Sequence, residues 1–199
     1  MQWMHEVAKS TKAVICGSLI IQEKKKFYNR FIWMRPDGSY EFYNKRHLFS
    51  MAKEDTVFTK GNKALIIEHK GWKIMPQVCY DLRFPVWSRN IDAKNNYRYD
   101  VLLNVANWPA VRSYAWQQLL IARAIENQCY VVGVNRVGKD GNGIAYNGCS
   151  ISLDMLGTKI SSHRNNKEGI ATTTLNYASL QDFRKRFPAN RDADNFRIV

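Results

Sequence analysis

Cys79 lies in the stretch Val78-Cys79-Tyr80-Asp81-Leu82-Arg83-Phe84-Pro85, directly after the apolar run Trp72-Lys73-Ile74-Met75-Pro76-Gln77-Val78. That run, bounded by Gly71, reads as a buried strand. Phe84-Pro85 then opens a helix with proline in its first turn. A cysteine between strand and helix displays its sulfur at a sheet edge. Backbone N–H groups there point into the same space and can hold a developing oxyanion. This is the place for an acyl-transfer nucleophile. Taken alone, the same cysteine also reads as a small apolar packing residue. Two further strand ends carry reactive groups: Asn44-Lys45-Arg46-His47-Leu48-Phe49, and Asn107-Trp108-Pro109 after the run 101–106. Loops beyond strand ends are where α/β folds assemble their sites.

The elements that must position these groups alternate along the chain. Residues 1–11 read as a helix with Trp3, Met4 and Val7 on one side. Strands are expected at 13–21, 27–35, 40–43, 64–69, 72–78, 101–106, 129–134, 144–153 and 169–175. Pro36-Asp37-Gly38-Ser39 makes a turn, since Pro presets φ and Gly accepts a positive one. Helices are expected at 85–94, 113–128 and 177–186, followed by a polar tail at 190–195. With no linker and no internal repeat, this pattern gives one α/β layered domain over 1–199.

Size and composition narrow the function classes. A chain of 199 residues, 45% apolar, is long enough to bury a core. No apolar stretch is long enough to span a bilayer, and Met1-Gln2-Trp3-Met4-His5-Glu6 has no secretory pattern. The four cysteines, at 16, 79, 129 and 149, match neither a zinc site nor a disulfide framework, so reduced thiols in the cytoplasm are expected. Cys16, Cys129 and Cys149 lie in strand-like runs and read as packing residues. The net charge of +13 raises nucleic-acid binding. However, Lys24-Lys25-Lys26 reads as a hairpin tip and Arg184-Lys185-Arg186 as part of a polar helix, with no nucleic-acid motif beside either.

Tyr43-Asn44-Lys45-Arg46-His47-Leu48-Phe49 and the Cys79 segment together resemble the nitrilase superfamily of carbon–nitrogen hydrolases. So do Ala122-Arg123-Ala124-Ile125-Glu126-Asn127-Gln128, Asn135-Arg136-Val137-Gly138, Asp140-Gly141-Asn142-Gly143 and Tyr146-Asn147-Gly148-Cys149-Ser150. The likeness spans nearly the whole chain and is greatest to the omega-amidase branch, whose members hydrolyse the terminal amide of 2-oxoglutaramate and related oxo-acids. The resemblance implies a four-layer α-β-β-α sandwich, a Glu-Lys-Cys triad, no metal or cofactor, and a homodimer. Lys45 matches the lysine and Cys79 the nucleophile, and the N–H of Tyr80 would join Lys45 around the oxyanion. Glu54 matches a second glutamate that orders the site, although a solvated surface acid would read the same way.

The family's general-base glutamate lies upstream of the lysine. Of Glu6, Glu23, Asp37 and Glu41, none occupies its position. The expectation is a domain lacking its first strand, an adjacent helix and its base, with weak or absent activity, exposed apolar sheet surface and poor solubility. Trp108, Arg112 and Arg136 are expected to bind substrate, with Arg suited to a bidentate grip on a carboxylate. Arg112 reads equally as a surface residue. Asp81 and Arg83 are assigned to orienting the turn after Cys79, and Arg123 and Glu126 to a structural pair. His47 invites a Cys–His dyad, but in the family pattern it neighbours the lysine without being the base. The competing class is a non-catalytic homologue or partial domain that binds a ligand or protein.

Overall fold

Residues 1–162 and 165–194 are described by the computed structural model, and period-two patterning accounts for most of their layering. α1 (Gln2–Thr11) precedes an antiparallel sheet of β1 (Ile15–Glu23), β2 (Lys26–Met34) and β3 (Tyr40–Asn44), in that order. In β2, Ile32 and Met34 pack with Met4 and Ala8 of α1, whereas Phe31 and Trp33 belong to the core between the sheets. After the single turn α2 (Glu54–Val57) come β4 (Ile67–His69), β5 (Trp72–Val78), the single turn α3 (Pro85–Ser88) and β6 (Val101–Ala106). The long helix α4 (Ser113–Asn127) then leads to β7 (Tyr130–Asn135), the hairpin β8 (Val137–Lys139) and β9 (Ala145–Asn147), β10 (Ile151–Leu153) and α5 (Tyr177–Arg186).

The second sheet runs β10-β7-β6-β5-β4, with β5, β6 and β7 parallel and both edges antiparallel. Ile74, Val78 and Val101 meet Phe31, Trp33 and Tyr43 between the sheets. Met75, Leu102 and Val131 pack with Trp116, Leu120 and Ala124 of α4. The layers are therefore α-β-β-α. A Cβ at Gly133 of β7 would run into Leu120 and Trp116, so the absent side chain lets α4 lie close on the sheet. The three parallel strands end on one side of the molecule, and Cys79, Asn107 and Arg136 follow directly from those ends.

Several boundaries differ from expectation. Trp3 does not share the buried side of α1. It is 66% exposed while Met4 and Ala8 are buried. The helix expected over 85–94 stops after one turn because Asn90 turns its side chain onto the backbone. It accepts from Arg98 N–H (3.1 Å) and Tyr99 N–H (2.7 Å) and donates to the carbonyls of Tyr99 (2.9 Å) and Asn127 (2.8 Å). The strand expected from 64 begins only at Ile67, where pairing with Ile74 starts. The run 144–153 is split into β9 and β10 by Gly148 and Cys149, with φ of 70° and 53°. Residues 169–175 join no ladder among the described residues, and Ile170 is 99% exposed. An apolar groove of about 250 Å³, lined by Trp33, Trp72, Leu103, Val132 and Leu175 among others, runs along the inner face of the second sheet. No helix among the described residues is long and apolar enough to cross a membrane.

All four cysteines are free thiols, and Cys129 and Cys149 are buried. Burial pushes the Cys16 thiol up to about 11 and that of Cys129 up to about 12. Because the folded values are raised, the unfolded chain loses these protons first. The stabilisation is therefore complete below about pH 9 and is lost as pH rises towards those values. Each thiol should cost about 1.4 kcal/mol of stability per pH unit in that window. Melting curves from pH 8 to 11 check this: Cys129→Ala should flatten the alkaline fall in Tm, and an unchanged slope would contradict the assignment.

Candidate active site

β3 ends at Asn44, and its main chain is fixed on both sides just beyond. Lys45 N–H donates to Asn29 O of β2 (2.9 Å), and Gly61 N–H donates to Lys45 O (2.8 Å). The guanidinium of Arg46 also reaches Gly61 O (3.1 Å). Lys45 is thereby buried, 3% exposed, which a lysine tolerates only with a partner. That partner is Glu54, whose Oε2 accepts from Lys45 Nζ at 2.5 Å and from Phe49 N–H at 2.7 Å. Its Oε1 accepts from Asn29 Nδ2 at 3.1 Å. Glu54 thus holds the lysine ammonium while its own two oxygens are fixed by Phe49 and Asn29.

Cys79 follows β5 at a sharp elbow with φ of 50°, a left-handed backbone costly for any residue but glycine. The next residues form a 3-10 turn, Cys79–Arg83, before Pro85 starts α3. Cys79 Sγ–H points to the Asn107 carbonyl at 3.8 Å. Burial raises the thiol above its ordinary value; Lys45 and the Asn107 contact oppose this, while the charges of Glu54 and Asp81 add to it. The sulfur is therefore protonated near neutral pH and needs a base or a closer cation to become a nucleophile.

Cys79, Lys45 and Glu54 line one cavity of about 290 Å³ together with Asn29, Phe49, Phe58, Val78 and Asn107. Its walls come from both sheets and from α2. Tyr80, Trp108, Arg112 and Arg136 are not among its lining residues. The ring of Tyr80 packs between Phe49 (4.9 Å) and Phe84 (5.2 Å). Trp108 is buried; its N–H donates to Asn135 Oδ1 (2.7 Å) and its indole N–H to Arg112 O (2.8 Å). The guanidinium of Arg112 lies 5.4 Å from the Phe49 ring, at the edge of the cavity. Arg136 is exposed and stacks at 4.8 Å over Tyr146, whose hydroxyl donates to Asp140 Oδ2 (2.8 Å). The phenol of Tyr146 is raised by burial first and then by Asp140, with the Arg136 guanidinium opposing.

The residues assigned to the turn after Cys79 differ in how they are held. Asp81 is fully buried beneath the elbow. Arg83 is exposed and lies over the Trp108 ring at 5.1 Å. Arg123 pairs with Glu126 at 2.7 Å and also donates to Leu82 O of the turn at 2.7 Å. His47 contacts Asp81, not Cys79: Nδ1 is 2.8 Å from Asp81 Oδ1. The four acids preceding Lys45 are engaged elsewhere: Glu6 with Gln2, Glu23 with Arg30, Asp37 with Ser39 and Glu41 with Arg35. Sequence reasoning missed Asn29, and it named the Asn107 loop without its carbonyl. One acts through a strand side chain and the other through a main-chain oxygen, and neither contact carries a local signal. Among the described residues no cluster of three His, Cys, Asp or Glu side chains could hold a metal ion.

The family model for carbon-nitrogen hydrolases matches residues 1–185. The chain belongs to the carbon–nitrogen hydrolase family. The hydrolase is 48% identical over 198 residues to omega-amidase YafV of Escherichia coli K12, covering 100% of this chain and 75% of that protein. It is 30% identical over 192 residues to the 2-oxoglutaramate amidase of Bacillus subtilis, covering 96% and 72%. The crystal structure of XC1258 from Xanthomonas campestris, a CN-hydrolase superfamily protein with an arsenic adduct in its active site, superposes with a TM-score of 0.94 at 43% identity, covering 100% of this chain and 76% of that one. The hydrolase thus has the α/β fold of the nitrilase superfamily.

Proposed function

We propose that this hydrolase is an amidase that opens the terminal amide of a small oxo-acid such as 2-oxoglutaramate, with Cys79 as nucleophile. One observation carries the reading: a thiol on a strained strand-end elbow shares a cavity with a buried lysine whose ammonium is fixed by a glutamate. Cys79 Sγ gives up its proton and attacks the amide carbon. Lys45 and the N–H of Tyr80, the residue after the nucleophile, hold the oxyanion. Collapse breaks the C–N bond, the –NH₂ group takes up the proton the thiol released and leaves as ammonia, and water then cleaves the thioester to the acid with its second proton returning to Sγ. The substrate class comes from the relatives named omega-amidase and 2-oxoglutaramate amidase. Arg112 and Arg136 are the proposed carboxylate anchors and Trp108 a buried support behind Arg112. Four free thiols suit a reducing cytoplasm, and a homodimer completes the proposal.

The proton acceptor is the weak point of the site. Glu54 is committed to Lys45, Phe49 and Asn29, and Asp81 is enclosed by hydrogen bonds beneath the elbow. This favours the reading that residues 1–199 lack the general base and turn over weakly, and it keeps open a second reading, a ligand-binding homologue without catalysis. Ammonia release from 2-oxoglutaramate, measured beside omega-amidase YafV, tests both. We expect roughly 10²–10⁴-fold slower turnover, the usual worth of general acid–base catalysis. Turnover equal to that relative would refute the missing base, and tight substrate binding with no acylation of Cys79 would establish the binding homologue instead.

A further inference from the structure

We propose that Asp81 is a positioning residue whose buried carboxylate clamps the Lys45 segment to the Cys79 elbow, with His47 Nδ1–H as the donor that closes the clamp. The proposal rests on the reading of Cys79 and Lys45 as the catalytic pair.

Asp81 is 0% exposed and receives four hydrogen bonds. Tyr43 O–H (2.8 Å), His47 N–H (2.9 Å) and His47 Nδ1 (2.8 Å) come from the residues two before and two after Lys45. Val78 N–H (3.0 Å) comes from the residue before Cys79. A carboxylate only accepts, so the imidazole proton facing it sits on Nδ1. The Tyr43 oxygen in turn accepts from Arg46 N–H (3.1 Å) and from the indole N–H of Trp87 (3.2 Å). The His47 ring stacks on Phe84 at 3.7 Å between centroids, so the far end of the elbow holds it as well. Two chain segments joined by no ladder at this point therefore meet on one carboxylate. Each segment carries one of the two reacting side chains, and small displacements between such groups are costly in rate.

Charge and position predict opposite results when Asp81 is neutralised. The groups acting on Cys79 are Lys45 beyond β3, Glu54 of α2 and Asp81 of the elbow, with the Asn107 carbonyl as acceptor. Burial raises the thiol most, Lys45 lowers it, and the anions Glu54 and Asp81 raise it. If geometry were unchanged, removing the Asp81 charge would ease thiol ionisation and speed alkylation. If Asp81 holds Lys45 in place, removing it weakens the cation–thiol interaction and slows alkylation.

The deciding experiment is the pH profile of iodoacetamide alkylation at Cys79 in the 199-residue chain, read by peptide mass spectrometry, with circular dichroism as the check on folding. Asp81→Asn is expected to slow alkylation at pH 7 by roughly tenfold and to move the midpoint to higher pH. His47→Ala should move it in the same direction. His47→Asn, whose side-chain N–H₂ can reach the Nδ1 position, should recover most of the loss. Faster alkylation in folded Asp81→Asn, or an unchanged profile, overturns the clamp. Should Asp81→Asn fail to fold, identical profiles for His47→Ala and His47→Asn overturn it equally. Thiol reactivity is read without any amide, so this proposal can fail while hydrolysis of 2-oxoglutaramate stands, and the reverse.

Discussion

Cys79→Ala should leave the chain with no detectable amide hydrolysis and no acyl adduct in a single-turnover experiment followed by intact mass. No other thiol can substitute. Cys129 and Cys149 are buried in the core around α4, and Cys16 packs against the core between the sheets. Lys45→Met, close to lysine in length but without charge, should slow adduct formation by about 10²–10³-fold, the cost of losing one oxyanion donor. It should also leave the Glu54 carboxylate without its countercharge, held only by Phe49 N–H and Asn29 Nδ2, so some loss of stability is expected beside the loss of rate. Adduct on Cys79→Ala, or unimpaired acylation of Lys45→Met, would remove the proposed chemistry from this cavity.

The largest stability effect should come from Arg184. It lies in a run of three basic residues, Arg184-Lys185-Arg186, at the end of a polar helix, where a solvated charge is the expectation. Instead it is 6% exposed and pairs with Asp100 at 2.7 Å. It also donates to the carbonyls of Gln128 (2.9 Å) and Tyr99 (2.8 Å). Asp100 Oδ2 accepts from Lys73 N–H at 3.0 Å, so one ion pair ties α5 to the beginnings of β5, β6 and β7. Removing one partner strands a buried charge, at a cost of about 3–5 kcal/mol. Arg184→Ala should lower Tm by about 10 °C in calorimetry, whereas Lys185→Ala, on an exposed neighbour, should change it little. Equal shifts for the two would show that the pair contributes nothing beyond surface charge.

What the sequence disclosed follows from how local the cause is. Cys79 and Lys45 were readable because each stands immediately beyond a patterned strand, and the motif resemblance joined them. The strands β5, β6 and β7 were readable because their runs are mostly apolar, whereas their parallel pairing is set by the crossovers and leaves no local signal. Glu54 was placed by resemblance alone, since its hydrogen bonds to Asn29 and Lys45 close through tertiary structure. The pairing of Arg184 with Asp100 spans 84 residues and leaves no periodic trace. Residues 169–175 show the opposite failure: β-branched composition predicts a strand, but a strand also needs a neighbour, which propensity does not encode. At 85–94 the proline signal was right for the start of the helix, and the side-chain bonding of Asn90 ended it.

The contact between Gly61 and the end of β3 places a constraint far from the sulfur in sequence. A Cβ at position 61 would overlap the carbonyl of Asn44, so even a methyl group there must push the backbone next to Lys45 aside. The lysine's reach into the cavity is thus set partly by the absence of a side chain at position 61, 18 residues before the nucleophile, where the Asn44 carbonyl fills the space. A conservative-looking glycine-to-alanine change in that stretch would behave as a lesion of the reaction centre.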